Sequence, residues 1–265
     1  MLFKGAGIIS LLISVISCLF LLPEHFVWVP AIFVISFILI ILIWALACII
    51  VTRFIDLNKE YNEPNRLYRF FTDCIIQSLH TLMNIKLHVK GEEILPEEKF
   101  LLVSNHKAAM DPLLTMGALS RYNMGFVAKK EIYKIPIIRK LMHACFCLCL
   151  DRENIREEAK TIIRAGKLVK EQKASIGIYP EGTRNKEEGL LPFLNGAFKI
   201  AKKANCPIVV AVIKNPELIS QNAPFKRTHV FLEYINVIDK EFVANHNTAE
   251  ISDAVRKLME AHLNI

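Results

Sequence analysis

His106 and Asp111 are the two side chains in this sequence whose types and spacing suit the movement of a proton. They stand in the run Ser104-Asn105-His106-Lys107-Ala108-Ala109-Met110-Asp111-Pro112. An apolar stretch, Phe100-Leu101-Leu102-Val103, leads into it. Such a stretch reads as a buried strand, because both faces are apolar and a turn signal follows. Asp111-Pro112 reads as a helix start. Asp suits the N-cap, and Pro suits the first helical position because its missing N–H costs nothing there. The spacing therefore sets a histidine just past a strand and a carboxylate where the next helix begins. A histidine can act as a base through one ring nitrogen when a partner holds the other, and a nearby carboxylate supplies that partner. The plainer alternative is a strand-to-helix loop with a capping aspartate.

A second polar run, Tyr179-Pro180-Glu181-Gly182-Thr183-Arg184-Asn185, follows another buried strand, predicted over 175–179. Gly182 allows close approach of the backbone to a ligand, and Arg184 carries a planar fork suited to phosphate. A polar loop with a Glu181–Arg184 surface pair is the competing reading. Lys129 and Lys130 follow a short strand over 124–128, where they either stand in solvent or aim at an anionic ligand.

The elements that must carry these runs alternate along the chain. Strands are expected over 85–90, 100–103, 124–128, 146–150, 175–179, 206–213 and 230–235. Helices are expected over 111–120, 154–172, 196–205 and 249–263, with one restarting at Ile135-Pro136. The 154–172 helix shows a stripe of Ile155, Ala159, Ile162, Ile163, Ala165, Leu168 and Val169 at helical spacing. This alternation predicts an α/β fold, a mixed, largely parallel sheet flanked by helices.

Composition adds an anchor. The chain has 265 residues, 53% apolar, with a net charge of +7. Residues 1–51 carry only Lys4 and Glu24 as charged side chains, so the excess of basic charge lies in the remainder. Residues 6–22 and 26–51 are two uncharged runs broken at Pro23-Glu24-His25. A bilayer span needs ~20 apolar residues, so a hydrophobic helical hairpin turning near Pro23 is expected. Lys4 before it and Arg53, Lys59, Arg66 and Arg69 after it place both ends on the cytoplasmic side. A hairpin entering one leaflet is the main competitor, and a cleaved lipoprotein signal ending at Cys18 is another. The division read from the sequence is a membrane-anchoring hairpin over 1–56, an amphipathic linker helix over 57–83 and a catalytic domain over 84–265. A basic domain beside an apolar anchor points to anionic membrane lipids or phosphate-bearing ligands. No signature of nucleic-acid binding is visible, so no nucleic acid is expected as a partner. Cys145, Cys147 and Cys149 alternate, which projects them onto one face of a strand and does not suit a tetrahedral metal site. No metal site is expected, and the cysteines read as small buried apolar residues.

Asn105-His106 with Asp111, followed in order by Tyr179-Pro-Glu-Gly-Thr-Arg184, resembles the glycerolipid acyltransferases, in particular the 1-acyl-sn-glycerol-3-phosphate acyltransferases. Leu150-Asp151-Arg152 and Cys206-Pro207-Ile-Val-Val-Ala211 are similar to two further blocks of that family. The sequence departs from the family pattern where a glycine usually precedes Asp151-Arg152, and at Asn195, where a basic residue is usual.

The resemblance implies transfer of a fatty acyl group from an acyl thioester, carried by coenzyme A or acyl-carrier protein, to the hydroxyl of lysophosphatidate, giving phosphatidate at the cell membrane. His106 is then the base and Asp111 its orienting partner. Arg184 would grip the acceptor's phosphate, Gly182 and Thr183 would shape the loop, and Glu181 would order it or bind the acceptor. Lys129 and Arg152 are secondary phosphate contacts. The thioester is already activated, so neither a covalent intermediate nor a cofactor is implied. Another lysophospholipid acceptor, or a non-catalytic phospholipid-binding membrane protein, are the alternatives.

Overall fold

The computed structural model describes residues 2–20, 28–129, 135–150 and 154–264. Two helices open the chain, α1 (Leu2–Phe20) and α2 (Val29–Arg53), followed by α3 (Arg66–Leu82). Strand β1 (Ile85–Lys90) precedes β2 (Leu101–Ser104), α4 (Asp111–Ala118), β3 (Gly125–Lys129), α5 (Pro136–Ala144) and β4 (Leu148–Leu150). Next come α6 (Ile155–Lys170), β5 (Ile176–Ile178), α7 (Lys199–Ala204), β6 (Ile208–Lys214) and the short α8 (Ile219–Asn222). Strand β7 (Thr228–Ile238), α9 (Lys240–Asn245) and α10 (Thr248–Leu263) close it.

The seven strands form one sheet in the order β1-β7-β6-β2-β5-β3-β4. All neighbours are parallel except β6 and β7, which is the mixed, largely parallel sheet expected. Parallel strands buried on both faces need apolar residues at every position, and β2, β5 and most of β6 are buried throughout. Leu101 and Val103 face the layer that α6, α7 and α10 supply, whereas Leu102 faces the layer of α3 and α4. Asn154 caps α6 by accepting from the amides of Arg156 and Glu157, and Asn247 with Glu250 forms a capping box on α10.

Two details depart from the sequence reading. Phe146 adopts φ +63° between α5 and β4, so the strand begins only at Leu148. The cysteine alternation is broken there: Cys145 and Cys147 are buried and Cys149 is exposed. Burial pushes the Cys147 thiol up to about 12. On α6, Ile163 lies off the buried stripe and is exposed, as are Ile155 and Ala159 in the first turns.

Helix α2 is long and apolar enough to cross a bilayer, with a mean hydropathy of 3.2 over its best window, and α1 packs alongside it. The expected turn at Pro23 lies outside the described residues. Helix α3 starts at Arg66 and packs on α4 and β1. Its Arg69 guanidinium donates to the carbonyls of Met116 (2.8 Å) and Met124 (3.0 Å) and pairs with Asp73. Trp44 of α2 stacks on Phe71 of α3 at 4.8 Å, and Lys140 of α5 donates to the Thr52 carbonyl near the end of α2. The apolar helices are thus packed onto the sheet domain through α3 and α5.

Gly177 in β5 makes room for a neighbour: a Cβ there would lie 2.3 Å from Phe126 of β3. Gly177→Ala should cost about 1–3 kcal/mol, the usual penalty of overpacking a filled core. Thermal unfolding in detergent measures it, and an unchanged midpoint would mean that the Phe126 ring moves aside freely.

Candidate active site

Strands β2 and β5 are parallel neighbours, so the loops leaving their carboxyl ends emerge side by side. Ligands in open α/β sheets bind in the crevice outside those ends. The first loop carries His106 and the second carries Glu181 to Asn185.

Asn105 sets the exit from β2. Its buried side chain donates to the Ile213 carbonyl (3.0 Å) and accepts from the Ile213 amide (2.8 Å). In this way it continues the β2–β6 pairing as a backbone would while the chain turns away. Asp111 is the first residue of α4 rather than its N-cap, a place that Met110 takes. The carboxylate turns back instead. Its Oδ2 accepts from His106 Nδ1 (2.9 Å) and from the amides of Lys107 (2.7 Å) and Ala108 (2.8 Å). Asp111 is fully buried, and the start of α4 favours its negative charge. The His106 side chain is 18% exposed, and its Nε2 has no hydrogen-bond partner among the described residues.

Glu181 joins the two loops. One carboxylate oxygen accepts from the His106 amide (2.8 Å) and the other from the Leu191 amide (2.9 Å). The residue is 6% exposed. Asn185 donates its amide to the His106 carbonyl (2.7 Å), so the peptide groups on both sides of the histidine are held by the second loop. Gly182 takes φ +70° and donates to the Tyr179 carbonyl, closing a tight turn that favours glycine. Thr183 and Arg184 then stand exposed, and Arg184 makes no hydrogen bond or ion pair among the described residues. The Glu181–Arg184 surface pair does not form, since both Glu181 oxygens are taken by amides.

The structure therefore brings together His106, Asp111, Glu181, Gly182, Thr183 and Arg184. Lys129 ends β3, but its side chain and all of Arg152 lie outside the described residues. Sequence reasoning passed over the roles of Asn105, Asn185 and Tyr179, whose ring lies against His106 at 4.2 Å between centroids. The partners of Asn105 and Asn185 are backbone groups remote in sequence, which no spacing rule announces.

An imidazole held at Nδ1 by a buried carboxylate, with Nε2 open, is arranged to accept a proton from a bound hydroxyl. An unpaired guanidinium on the adjacent loop can hold a phosphate. Comparison with known proteins gives the family. Residues 86–214 match the family model described as Acyltransferase. A probable 1-acyl-sn-glycerol-3-phosphate acyltransferase of Mycoplasma genitalium is 30% identical over 237 residues, covering 79% of this chain and 85% of that protein. The 1-acyl-sn-glycerol-3-phosphate acyltransferase of Borreliella burgdorferi is 29% identical over 196 residues, covering 71% and 76%. The crystal structure of the 1-acyl-sn-glycerophosphate acyltransferase from Thermotoga maritima shares the fold, with a TM-score of 0.64, 18% identity and coverage of 99% of this chain and 96% of that one. This chain belongs to the acyltransferase family, among the 1-acyl-sn-glycerol-3-phosphate acyltransferases.

Glu181→Gln replaces one acceptor oxygen by an NH2 group that faces a backbone N–H. Loss of one charge-assisted hydrogen bond, about 1.5–3 kcal/mol, should lower kcat/KM roughly ten- to hundredfold for donor and acceptor alike. Steady-state kinetics with each substrate varied in turn checks this; a defect confined to the acceptor KM would make Glu181 a substrate contact instead.

Proposed function

We propose that this protein transfers a fatty acyl group from an acyl thioester to the sn-2 hydroxyl of 1-acyl-sn-glycerol 3-phosphate, giving phosphatidate in phospholipid biosynthesis. The hydrogen bond between His106 Nδ1 and Asp111 Oδ2, with Nε2 left open, carries the reading in a chain of this family. An alcohol is a weak nucleophile near neutral pH, and a positioned base contributes typically ~10²–10⁴-fold. His106 Nε2 takes the acceptor's hydroxyl proton as its oxygen attacks the thioester carbonyl. The tetrahedral intermediate collapses, the C–S bond breaks, and the imidazolium returns the proton to the departing thiolate. Asp111 holds the tautomer and stabilises the imidazolium, the part a carboxylate plays in a hydrolase triad.

Arg184 grips the acceptor's phosphate, with Gly182 and Thr183 shaping the loop around it and Glu181 fixing that loop to the base. Lys129 and Arg152 are secondary phosphate contacts. The donor is acyl-CoA or acyl-carrier protein, and the acceptor is lysophosphatidate. Residues 1–56 anchor the chain among membrane lipids, residues 57–83 connect the anchor to the enzyme, and residues 84–265 form the catalytic domain on the cytoplasmic face of the cell membrane. The apolar exposed flank of α2, including Ile35, Ile38, Leu42 and Ile43, supports the anchoring role.

His106→Ala should abolish transfer with the fold intact, and Asp111→Asn should be nearly as damaging through lost imidazole orientation. Retention of more than about a tenth of turnover by His106→Ala, well short of the loss a missing base produces, would remove His106 from the mechanism.

Arg184 separates phosphate recognition from chemistry, because Lys offers a point charge where Arg offers two parallel hydrogen bonds. Arg184→Ala should raise the acceptor KM roughly ten- to hundredfold with little change for the donor, and Arg184→Lys should fall between. A donor-specific defect would assign Arg184 to the other substrate.

The anchor predicts extraction from membranes by detergent and not by alkaline carbonate. A C-terminal tag should resist protease added outside sealed cells; its digestion would reverse the orientation.

A further inference from the structure

A hydrogen bond at Nδ1 fixes one edge of an imidazole and leaves the ring some freedom to rock about its torsions. Here the face is covered as well. The His106 ring lies flat against that of Tyr179, 4.2 Å between centroids and 13° between planes. Tyr179 lies in turn against Phe126, at 5.5 Å and 19°. Phe126 occupies the space that Gly177 leaves by having no side chain. A column of three rings thus runs from the interior of the sheet up to the base.

The lower two rings are buried, and the Tyr179 hydroxyl has no well-aligned hydrogen-bond partner among the described residues. Burial, reinforced by the charge of Asp111 and offset in part by the Thr115 hydroxyl, pushes the Tyr179 phenol well above its usual range. Tyr179 therefore rests as a neutral phenol near neutral pH. What it offers His106 is the electron-rich face of an aromatic ring. A cation over such a face is stabilised, and more so where water is excluded.

We propose that Tyr179 is a positioning residue for acyl transfer: its ring holds the His106 imidazole in the plane that leaves Nε2 open and stabilises the imidazolium formed when the acceptor's proton is taken. This rests on His106 being the base. Among the described residues, the charged side chains hydrogen-bonded to His106 are Asp111 from α4 at the ring edge and Glu181 from the second loop at the backbone amide; Lys107 in the same loop turns its ammonium to the Glu187 carbonyl, and Arg184 stands exposed on the second loop. Asp111 and Glu181 reach the ring edge and the backbone, whereas Tyr179 reaches the ring face. Ordinary core packing of Tyr179 would make any similarly sized apolar side chain an adequate substitute. The proposal requires an aromatic.

The test uses the full-length protein in detergent micelles with lysophosphatidate and the acyl thioester that the wild type accepts. Tyr179→Leu should lower kcat about ten- to hundredfold, the scale of a small misplacement of a catalytic group. Both KM values should stay within about threefold, because substrate contacts are untouched. The acid limb of the kcat/KM profile should move to lower pH by roughly half a unit or more, since loss of the ring face disfavours the imidazolium. Tyr179→Phe keeps the face and should restore both kcat and the acid limb. Where Tyr179→Leu does not fold, Tyr179→Met fills the same space with an unbranched apolar chain and carries the same expectation. Wild-type kcat and an unmoved acid limb in the folded Leu or Met variant would overturn the proposal. So would a Phe variant as impaired as the Leu variant, which would assign the effect to the hydroxyl. His106→Ala serves as the reference: if it turns over, the base assignment fails, whatever the Tyr179 variants do.

Discussion

A carboxylate taken out of water must be met by hydrogen-bond donors, and Glu181 is met by backbone amides from two different loops. Burying an unpaired charge costs several kcal/mol, so the carboxylate is stable in place only while both donors are present. That requirement couples the loops. The His106 amide cannot drift from the second loop without stranding a buried charge, and the Leu191 segment cannot open without doing the same. Asn185 adds a bond to the His106 carbonyl. His106 therefore sits on a peptide clamped from both sides, which is what the proposed base needs if it is to meet a substrate oxygen within a fraction of an ångström.

The sheet makes the clamp possible. β2 pairs in parallel with both β5 and β6, with Leu101 opposite Ile176 on one side and Ile208 on the other. Parallel neighbours deliver their carboxyl-terminal loops to one edge, so segments far apart in sequence meet there without any long excursion of the chain. Asn105 uses the β6 side of this arrangement and Glu181 the β5 side. His106 lies between them.

Much of this was legible in the sequence. The buried strands declared themselves as short apolar runs with turn signals after them, and each of the expected strand segments corresponds to an observed strand. Helix α6 declared itself through its apolar stripe. What periodicity could not supply was local backbone exceptions. The left-handed Phe146 shortens β4 and breaks an alternation that looked regular on paper. The linker helix expected over 57–83 begins only at Arg66, where Asn65 caps it. The short helices α8 and α9 span 4 and 6 residues, too little for an apolar period to show. At the site, the His106–Asp111 hydrogen bond was readable because an imidazole and a carboxylate at that spacing have a chemical signature in their residue types. Glu181 looked like a partner for Arg184 or for substrate, because sequence carries no sign that two distant amides will claim its oxygens.

The contacts between the apolar helices and the sheet domain bear on how substrate reaches the site. Trp44 stacks on Phe71, Lys140 caps the carbonyl of Thr52, and Arg69 ties α3 to the ends of α4 and β3 through the Met116 and Met124 carbonyls. Arg69, which the sequence offers as a basic flank for the anchor, has its guanidinium committed to these internal bonds. Each link is a packed or hydrogen-bonded contact between regular elements, so α2 is joined to the sheet domain by packing as well as by the chain over 54–65. With α2 seated in a bilayer and His106 acting as the base, as proposed above, packing through α3 and α5 sets the height of that base relative to the lipid. A lysophospholipid presents its headgroup at the membrane surface and its acyl chain below. If His106 and Arg184 act as proposed above, a fixed relation to that surface lets them meet the hydroxyl without drawing the whole lipid into water, where each exposed methylene would cost about 0.8 kcal/mol.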